Sequence, residues 1–175
     1  MTPNVMEQTQ TAVEIQVRLS NHETLVACFV GLMRQIKSLA RGSKDTYGFD
    51  ADVNDGWKVQ MNGACAEQAF AKATDRHWDC SVDVFARPDF APNIDIKTRP
   101  SHDSLLIVRP DARDEWKYVH VTGTPFRRHK IHGWIYGRDA KRPQWEGRPD
   151  PKRPPCFQVP GEALRSIEEI WENGR

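Results

Sequence analysis

"ARPDFAPNIDIKTR", residues 86–99, is the stretch on which the reading of this chain turns. Asp89 follows Pro88, a short segment with a second proline intervenes, and Lys97 stands one residue beyond Asp95. "NIDIKTR" has the alternation of a strand, so Asp95 and Lys97 share one face while Ile94 and Ile96 share the other. The isoleucines suit a core and the charged pair suits a cleft. Asp89 falls where the preceding run ends and the chain turns back toward Asp95. Two carboxylates meeting at such a corner repel one another unless a cation bridges them, an arrangement that a hard ion such as Mg²⁺ favours. Read as a tripeptide alone, Asp95-Ile96-Lys97 is equally a solvated strand face with a neighbouring ion pair.

Upstream, "AVEIQVRL" (12–19) alternates Val13, Ile15, Val17 and Leu19 with polar residues, the pattern of a half-buried strand. Ser20 or Asn21 then caps a helix that begins with Glu23 and runs to Gly42. That helix carries more apolar than polar surface, so it is expected to pack on two sides, which allows a homodimer. "RGSKDTYGFDADVNDG" (41–56) is a connection without sustained period, long enough to be mobile or functional. A second helix is expected from Trp57 to Thr74. Its alanines favour it, although Gly63 costs about 1 kcal/mol relative to alanine. At the i±3 and i±4 positions Glu67 has Gly63, Ala64, Phe70 and Ala71 as neighbours. Three of these are small, so the helix can lie close to a sheet with Glu67 facing inward, where a bare carboxylate needs a partner. A solvated or salt-bridged glutamate is the ordinary alternative.

Downstream come five short β signals, at 80–86, 93–99, 104–109, 117–123 and 130–137. Their spacing of roughly 11–13 residues suits consecutive antiparallel strands. A proline-rich irregular segment follows, and an amphipathic C-terminal helix over 161–173 closes the chain with Leu164, Ile167 and Ile170 on one side. The expectation is an α+β (mixed α/β) fold with a central, mostly antiparallel or mixed sheet flanked by helices. After a loose polar tail (1–11), residues 12–175 read as one domain, since 175 residues are of ordinary single-domain length.

Composition narrows the class. With 38% hydrophobic and 28% charged residues, the chain is neither a membrane protein nor a disordered one. No apolar run reaches the roughly 18 residues that a membrane span needs, and "MTPNVMEQTQ" lacks the basic and apolar regions of a secretion signal, so a cytoplasmic location is expected. Cys28, Cys65, Cys80 and Cys156 form no C-x-x-C pair, which leaves buried free thiols as the reading. Phosphate-loop, dinucleotide, zincin and serine-hydrolase motifs are absent from the sequence.

The net charge of +1 conceals an asymmetry. Between Thr124 and Pro155 there are nine Lys or Arg against three Asp or Glu, a surplus of six, so the rest of the chain carries a net charge of minus five. Within this segment Phe126, Trp134, Tyr136 and Trp145 interleave with Arg127, Arg128, Lys130, Arg138, Lys141 and Arg142. Cations attract phosphates and aromatic rings stack on bases, so the segment suits a nucleic-acid surface. The alternative places Trp134 and Ile135 in a sheet core with the arginines solvated. Arg127 and Arg128 would point apart on a strand and then would not serve one phosphate. His129 and His132 would also lie on opposite strand faces, with no zinc-ligand set beside them. His102-Asp103, after the motif strand, reads as a turn.

The combination resembles the PD-(D/E)XK nuclease superfamily: a helix bearing a glutamate (Glu67), then Pro88-Asp89, then Asp95-Ile96-Lys97 on a strand. Asp83 or Asp79 is an alternative first aspartate, and Asp89 is preferred for its proline and short spacing. The wider layout over about residues 21–160, with "GACAEQAFAKA", "IDIKTR", "HGWIYGRDAK" and "PPCFQVP", also looks like short uncharacterised bacteriophage and prophage proteins with that core. The resemblance implies a restriction-endonuclease-like fold and a Mg²⁺- or Mn²⁺-dependent nuclease acting on DNA in a bacterial host cell. It further implies a catalytic set of Glu67, Asp89, Asp95 and Lys97. In that set the metal is held by Glu67, Asp89, Asp95 and the Ile96 carbonyl, and DNA contacts come from Arg127, Arg128, Lys130, Arg138 and Lys141. The reading set beside it is a non-catalytic nucleic-acid-binding or phage accessory protein that retains the fold.

Overall fold

The structure, a computed structural model, describes residues 14–42, 53–82, 87–125, 127–151 and 153–171. The 1–11 tail, most of the 41–56 connection, Asp83, Phe126 and the second half of the strand expected at 80–86 lie outside these residues. Strand β1 (Ile15–Arg18) leads into helix α1 (Asn21–Ala40), and helix α2 spans Val53–Ala73. The start of α1 is fixed by a capping box: Ser20 Oγ accepts from the Glu23 amide at 3.2 Å, and Glu23 Oε2 accepts from the Ser20 amide at 2.6 Å. Such a cap stabilises a helix by about 1 kcal/mol. Lys72 on α2 also reaches Glu23, at 2.7 Å, so the cap ties the two helices together. They approach closely at Gly31, where a Cβ would stand 2.5 Å from the Met61 Cα.

Two sheets follow. The larger has the order β1-β5-β4-β2, with β2 at Ile94–Arg99, β4 at Lys117–Thr122 and β5 at Arg128–Tyr136; the smaller joins β3 (Leu106–Val108), β7 (Cys156–Val159) and β6 (Glu146–Gly147). The fold is therefore α+β with a mixed principal sheet, as expected; β4 and β5 are consecutive antiparallel neighbours, but the strands before them are not. β2 pairs with β4 in parallel, Asp95 lying opposite Tyr118 and Lys97 opposite His120, because β3 leaves for the second sheet and lets the chain return in the same direction. Cys80–Val82 is not in a strand, and the proline-rich segment supplies β6 and leads into β7.

Alternation along β4 divides the interior. Val119 and Val121 face the helices and join Phe70, Ala66, Ile131 and Trp134 in the main core; Tyr118 turns to the other side and joins Ile135, Leu106, Val108 and Val159. The β4–β5 register shifts after His120, which lies opposite Gly133, while Val121 lies opposite Ile131. His132 is thus an extra residue, a bulge, and His129 and His132 do point to opposite faces.

Among the described residues, the C-terminal α-helix expected over 161–173 does not form. Short 3₁₀ turns occupy Gly161–Ala163 and Ile167–Trp171. Between them Arg165 exchanges two backbone hydrogen bonds with Trp134, at 2.8 and 3.1 Å. β1 pairs with β5 only up to Ile131, so the backbone at Trp134 would otherwise lie unpaired at a sheet edge. Arg165 satisfies it, and the extended backbone this requires interrupts the helix, although Ile167 and Ile170 are buried as the amphipathic pattern foretold. No helix among the described residues is long and apolar enough to cross a membrane.

Candidate active site

Asp89 reaches its place through a tight turn. Phe90 and Ile94 exchange backbone hydrogen bonds of 3.0 and 2.9 Å, which closes the chain over Ala91-Pro92-Asn93. That closure lays Asp89 beside β2, where its Oδ2 accepts from the Ile96 amide at 2.7 Å. On β2, Ile94 is buried in the main core while Asp95 and Lys97 turn to the other face and form an ion pair of 2.5 Å. Asp89, Asp95 and Lys97 all line one open cleft of about 500 Å³. The pKa of Asp89 is raised well above the ordinary carboxylate range, chiefly by burial and then by the charges of Glu67 and Asp95, against the Ile96 hydrogen bond and the charge of Lys97.

Glu67 is only 5% exposed and lies behind this cleft rather than in its wall. Arg34 on α1 grips it with two hydrogen bonds, of 2.5 and 2.8 Å, and Trp78 Nε1 donates to Oε2 at 2.9 Å. Arg34 also donates twice to the Ser81 carbonyl, at 2.9 and 2.7 Å. Burial opposes the charge of Arg34, but Glu67, with Asp89 and Asp79, more than offsets this and raises its pKa. The expectation that an inward Glu67 needs a partner holds; in this structure the partner is a guanidinium. Arg34 and Trp78 carried no signal in the sequence, because each meets Glu67 only after the fold is made.

Among the described residues, no set of three or more His, Cys, Asp or Glu side chains is gathered to hold a metal ion. Asp89 and Asp95 nonetheless fit Mg²⁺, which is commonly bound by one or two carboxylates and completes its shell with water and substrate phosphate. The hydrogen bond from Ile96 and the ion pair with Lys97 each engage Oδ2, so neither takes up Oδ1 of Asp89 or of Asp95. A cation there would also relieve the repulsion that Asp89 suffers from its two acidic neighbours. Ile96 contributes its amide to Asp89, and Glu67 would have to exchange Arg34 for an ion to bind one directly.

The cleft is ringed by arginines: Arg87, Arg99, Arg109 and Arg113 line it with the acids. Arg99 was legible, since it stands two residues beyond Lys97 on the same face; the other three come from loops that only the fold brings to the site. The basic segment distributes differently from expectation. Lys130 pairs with Glu14 at 2.5 Å, Lys141 pairs with Asp114 at 2.8 Å and also donates to the Ala112 carbonyl, and Arg138 lies over the Tyr136 ring at 4.4 Å. Arg127 and Arg128 are exposed and line a different cleft. They are not divided by strand alternation, because Arg127 stands before β5 begins.

Behind β4 runs a chain of hydrogen bonds that sequence reasoning missed. Glu14 Oε1 meets His132 Nδ1 at 2.9 Å, His132 Nε2 meets Thr122 Oγ1 at 2.8 Å, and Thr122 Oγ1 meets His102 Nδ1 at 2.6 Å. His120 stacks on His132, with ring centroids 4.6 Å apart. Compared with protein-family models, with curated proteins and with solved structures, the chain matches none of them.

Proposed function

We propose that the chain is a Mg²⁺- or Mn²⁺-dependent nuclease of the PD-(D/E)XK type, with a restriction-endonuclease-like core, that hydrolyses DNA phosphodiester bonds. The observation that carries this reading is the turn over residues 90–94, which sets a desolvated Asp89 beside Asp95 and Lys97 on one arginine-ringed cleft. Asp89 and Asp95 would hold the ion, with the Ile96 carbonyl a further ligand and Glu67 acting directly or through water. When bound, the ion would polarise the scissile phosphate and make a coordinated water more acidic. Lys97, kept in place by Asp95, stabilises the negative charge that develops on the phosphate or orients the attacking water. The arginine rim draws the phosphate backbone into the cleft and holds it there.

A second reading, a nucleic-acid-binding protein without catalysis, is favoured by one observation: Arg34 already satisfies both oxygens of Glu67. A cleavage panel of single- and double-stranded DNA and of RNA with Mg²⁺ or Mn²⁺ separates the two. Wild-type protein cleaves, Asp95→Ala does not, and Lys97→Ala loses about 10²–10³-fold in rate. Both variants keep the wild-type circular dichroism spectrum, since the pair they break is partly exposed and worth at most about 1 kcal/mol. Cleavage that survives in Asp95→Ala removes the catalytic assignment.

Two copies of the chain are proposed to pair through α1. Leu25, Phe29, Leu32, Ile36 and Leu39 are all exposed on it, at alternating intervals of four and three residues. This is the spacing of a coiled-coil seam.

A further inference from the structure

A second concavity is larger than the acidic cleft. A cleft of about 910 Å³ opens at the end of the principal sheet, where β1, β2 and β4 finish and β5 begins, and its walls include Arg18, Arg127, Arg128, Thr24 and the turn bearing His102. Arg18 and Arg128 are direct cross-strand partners in the β1–β5 register. Like charges placed directly opposite one another on a sheet are destabilising. Neither these two nor Arg127 makes an ion pair or side-chain hydrogen bond among the described residues, whereas Arg34, Arg153 and Arg165 all pair with carboxylates. Among the described residues Asp103 is the single acidic residue in the wall, against three guanidinium groups. Three unneutralised cations held in one hollow are the signature of a site whose counter-charge comes from outside.

The hydrogen-bond chain behind His102 holds one wall of this cleft in place. The Glu14 carboxylate only accepts, so His132 carries its proton on Nδ1 and presents a bare Nε2. The Thr122 hydroxyl then donates to His132 and accepts from His102 Nδ1. This fixes the His102 ring in the cleft wall with its proton on Nδ1, so its Nε2 is an acceptor only.

Strand geometry links the two clefts. Asp95, Lys97 and Arg99 on β2 share a face with Tyr118, His120 and Thr122 on β4, and that face continues across β5 and β1 to Arg128 and Arg18. Arg99 lines the acidic cleft, and Pro100 and Ser101, which follow it, line the basic one. We propose that the basic cleft is a second phosphate-binding site, where Arg18, Arg127 and Arg128 hold the backbone of the nucleic-acid strand whose scissile phosphate sits over Asp95 and Lys97. From Lys97 to Ser101 the chain covers up to about 13 Å. At one phosphate per ~3.4 Å of axis on each strand, that separates the held and the scissile phosphates by about three or four nucleotides. The strand's course past Asp95 rests on the nuclease reading; the basic cleft's affinity for a phosphate backbone does not.

The test measures binding of labelled single-stranded and duplex deoxyoligonucleotides in EDTA, over a range of salt concentrations, with the full chain. Arg18→Ala/Arg128→Ala weakens binding about tenfold or more, and flattens the slope of log affinity against log salt by about 1.4–1.8. Arg76→Ala, which removes a cation stacked on Trp171 and lining neither cleft, binds as the wild type does. Inorganic pyrophosphate raises the melting temperature of wild type and of Arg76→Ala but not of the double-arginine variant. Arg128→Ala alone melts higher than wild type without ligand, because it removes a cross-strand repulsion; this also shows that the substitution leaves the fold intact. Unchanged affinity and salt slope in the double variant, or a wild-type melting temperature indifferent to pyrophosphate, overturns the proposal. Loss of the nuclease reading would appear elsewhere, as cleavage by Asp95→Ala, while these binding results stood.

Discussion

Arg34 and Glu67 form the most buried ion pair described, and the two partners depend on one another unequally. With its two bonds to Glu67 and two to Ser81, Arg34 connects three parts of the chain. Removing it leaves a carboxylate, held among the described residues otherwise by Trp78 alone, inside the protein. Arg34→Ala is therefore expected to cost about 3–5 kcal/mol, as for other buried pairs broken from one side, measured by urea denaturation. Replacing both residues with apolar ones of similar volume should cost far less. The sequence identified Glu67 as an inward carboxylate from its small helical neighbours and identified Asp95 and Lys97 from alternation. It did not identify Arg34, because a partner 33 residues away in the chain has no local period to betray it.

At the scale of elements, the two helices meet where one of them has no side chain. The hypothetical Cβ at Gly31 would strike the Met61 backbone, and backbone cannot rotate aside as a flexible side chain can. Gly31→Ala should thus force α1 and α2 apart and destabilise the protein by about 1–3 kcal/mol, seen as a lowered urea midpoint. The helices and the strands β1 to β5 were legible because each carries its own period, and α1 its own cap. Strand order and the fate of residues 161–173 were not. The parallel partnership of β2 with β4 depends on where β3 goes, and the broken C-terminal helix depends on an unpaired edge at Trp134, both of them long-range facts.

Across the whole molecule, two histidines make stability depend on pH. Burial lowers the pKa of His120 to about 3, with the charges of His132 and Arg99 adding to the effect, and it lowers that of His129 to about 4, with His102 adding to it. His120 Nε2 and both ring nitrogens of His129 lack hydrogen-bond partners among the described residues, so neither ring offers a proton a welcome. Unfolded histidines protonate near pH 6.5, so from there down to about pH 4 the unfolded chain takes up protons that the folded chain refuses. Stability should fall with pH across that window, by up to about 1.4 kcal/mol per pH unit for each histidine. Urea midpoints at pH 7 and pH 5 measure it, and His129→Leu should reduce the slope. The paired-chain proposal is tested at the same scale. Phe29, 60% exposed at the centre of the α1 stripe, is expected to be buried between copies. Sedimentation should show a dimer for wild type and a monomer for Phe29→Asp.

The indole of Trp78, buried and hydrogen-bonded to the Glu67 carboxylate, has one more consequence. Tryptophan emission responds to nearby charge and polarity, so the ring is a built-in optical gauge of what happens to that carboxylate. The difference between wild-type and Trp78→Phe fluorescence isolates its signal from the other five tryptophans. Titrating Mn²⁺ into the protein and following that difference would register the moment at which Glu67 trades its guanidinium for an ion, without any substrate present.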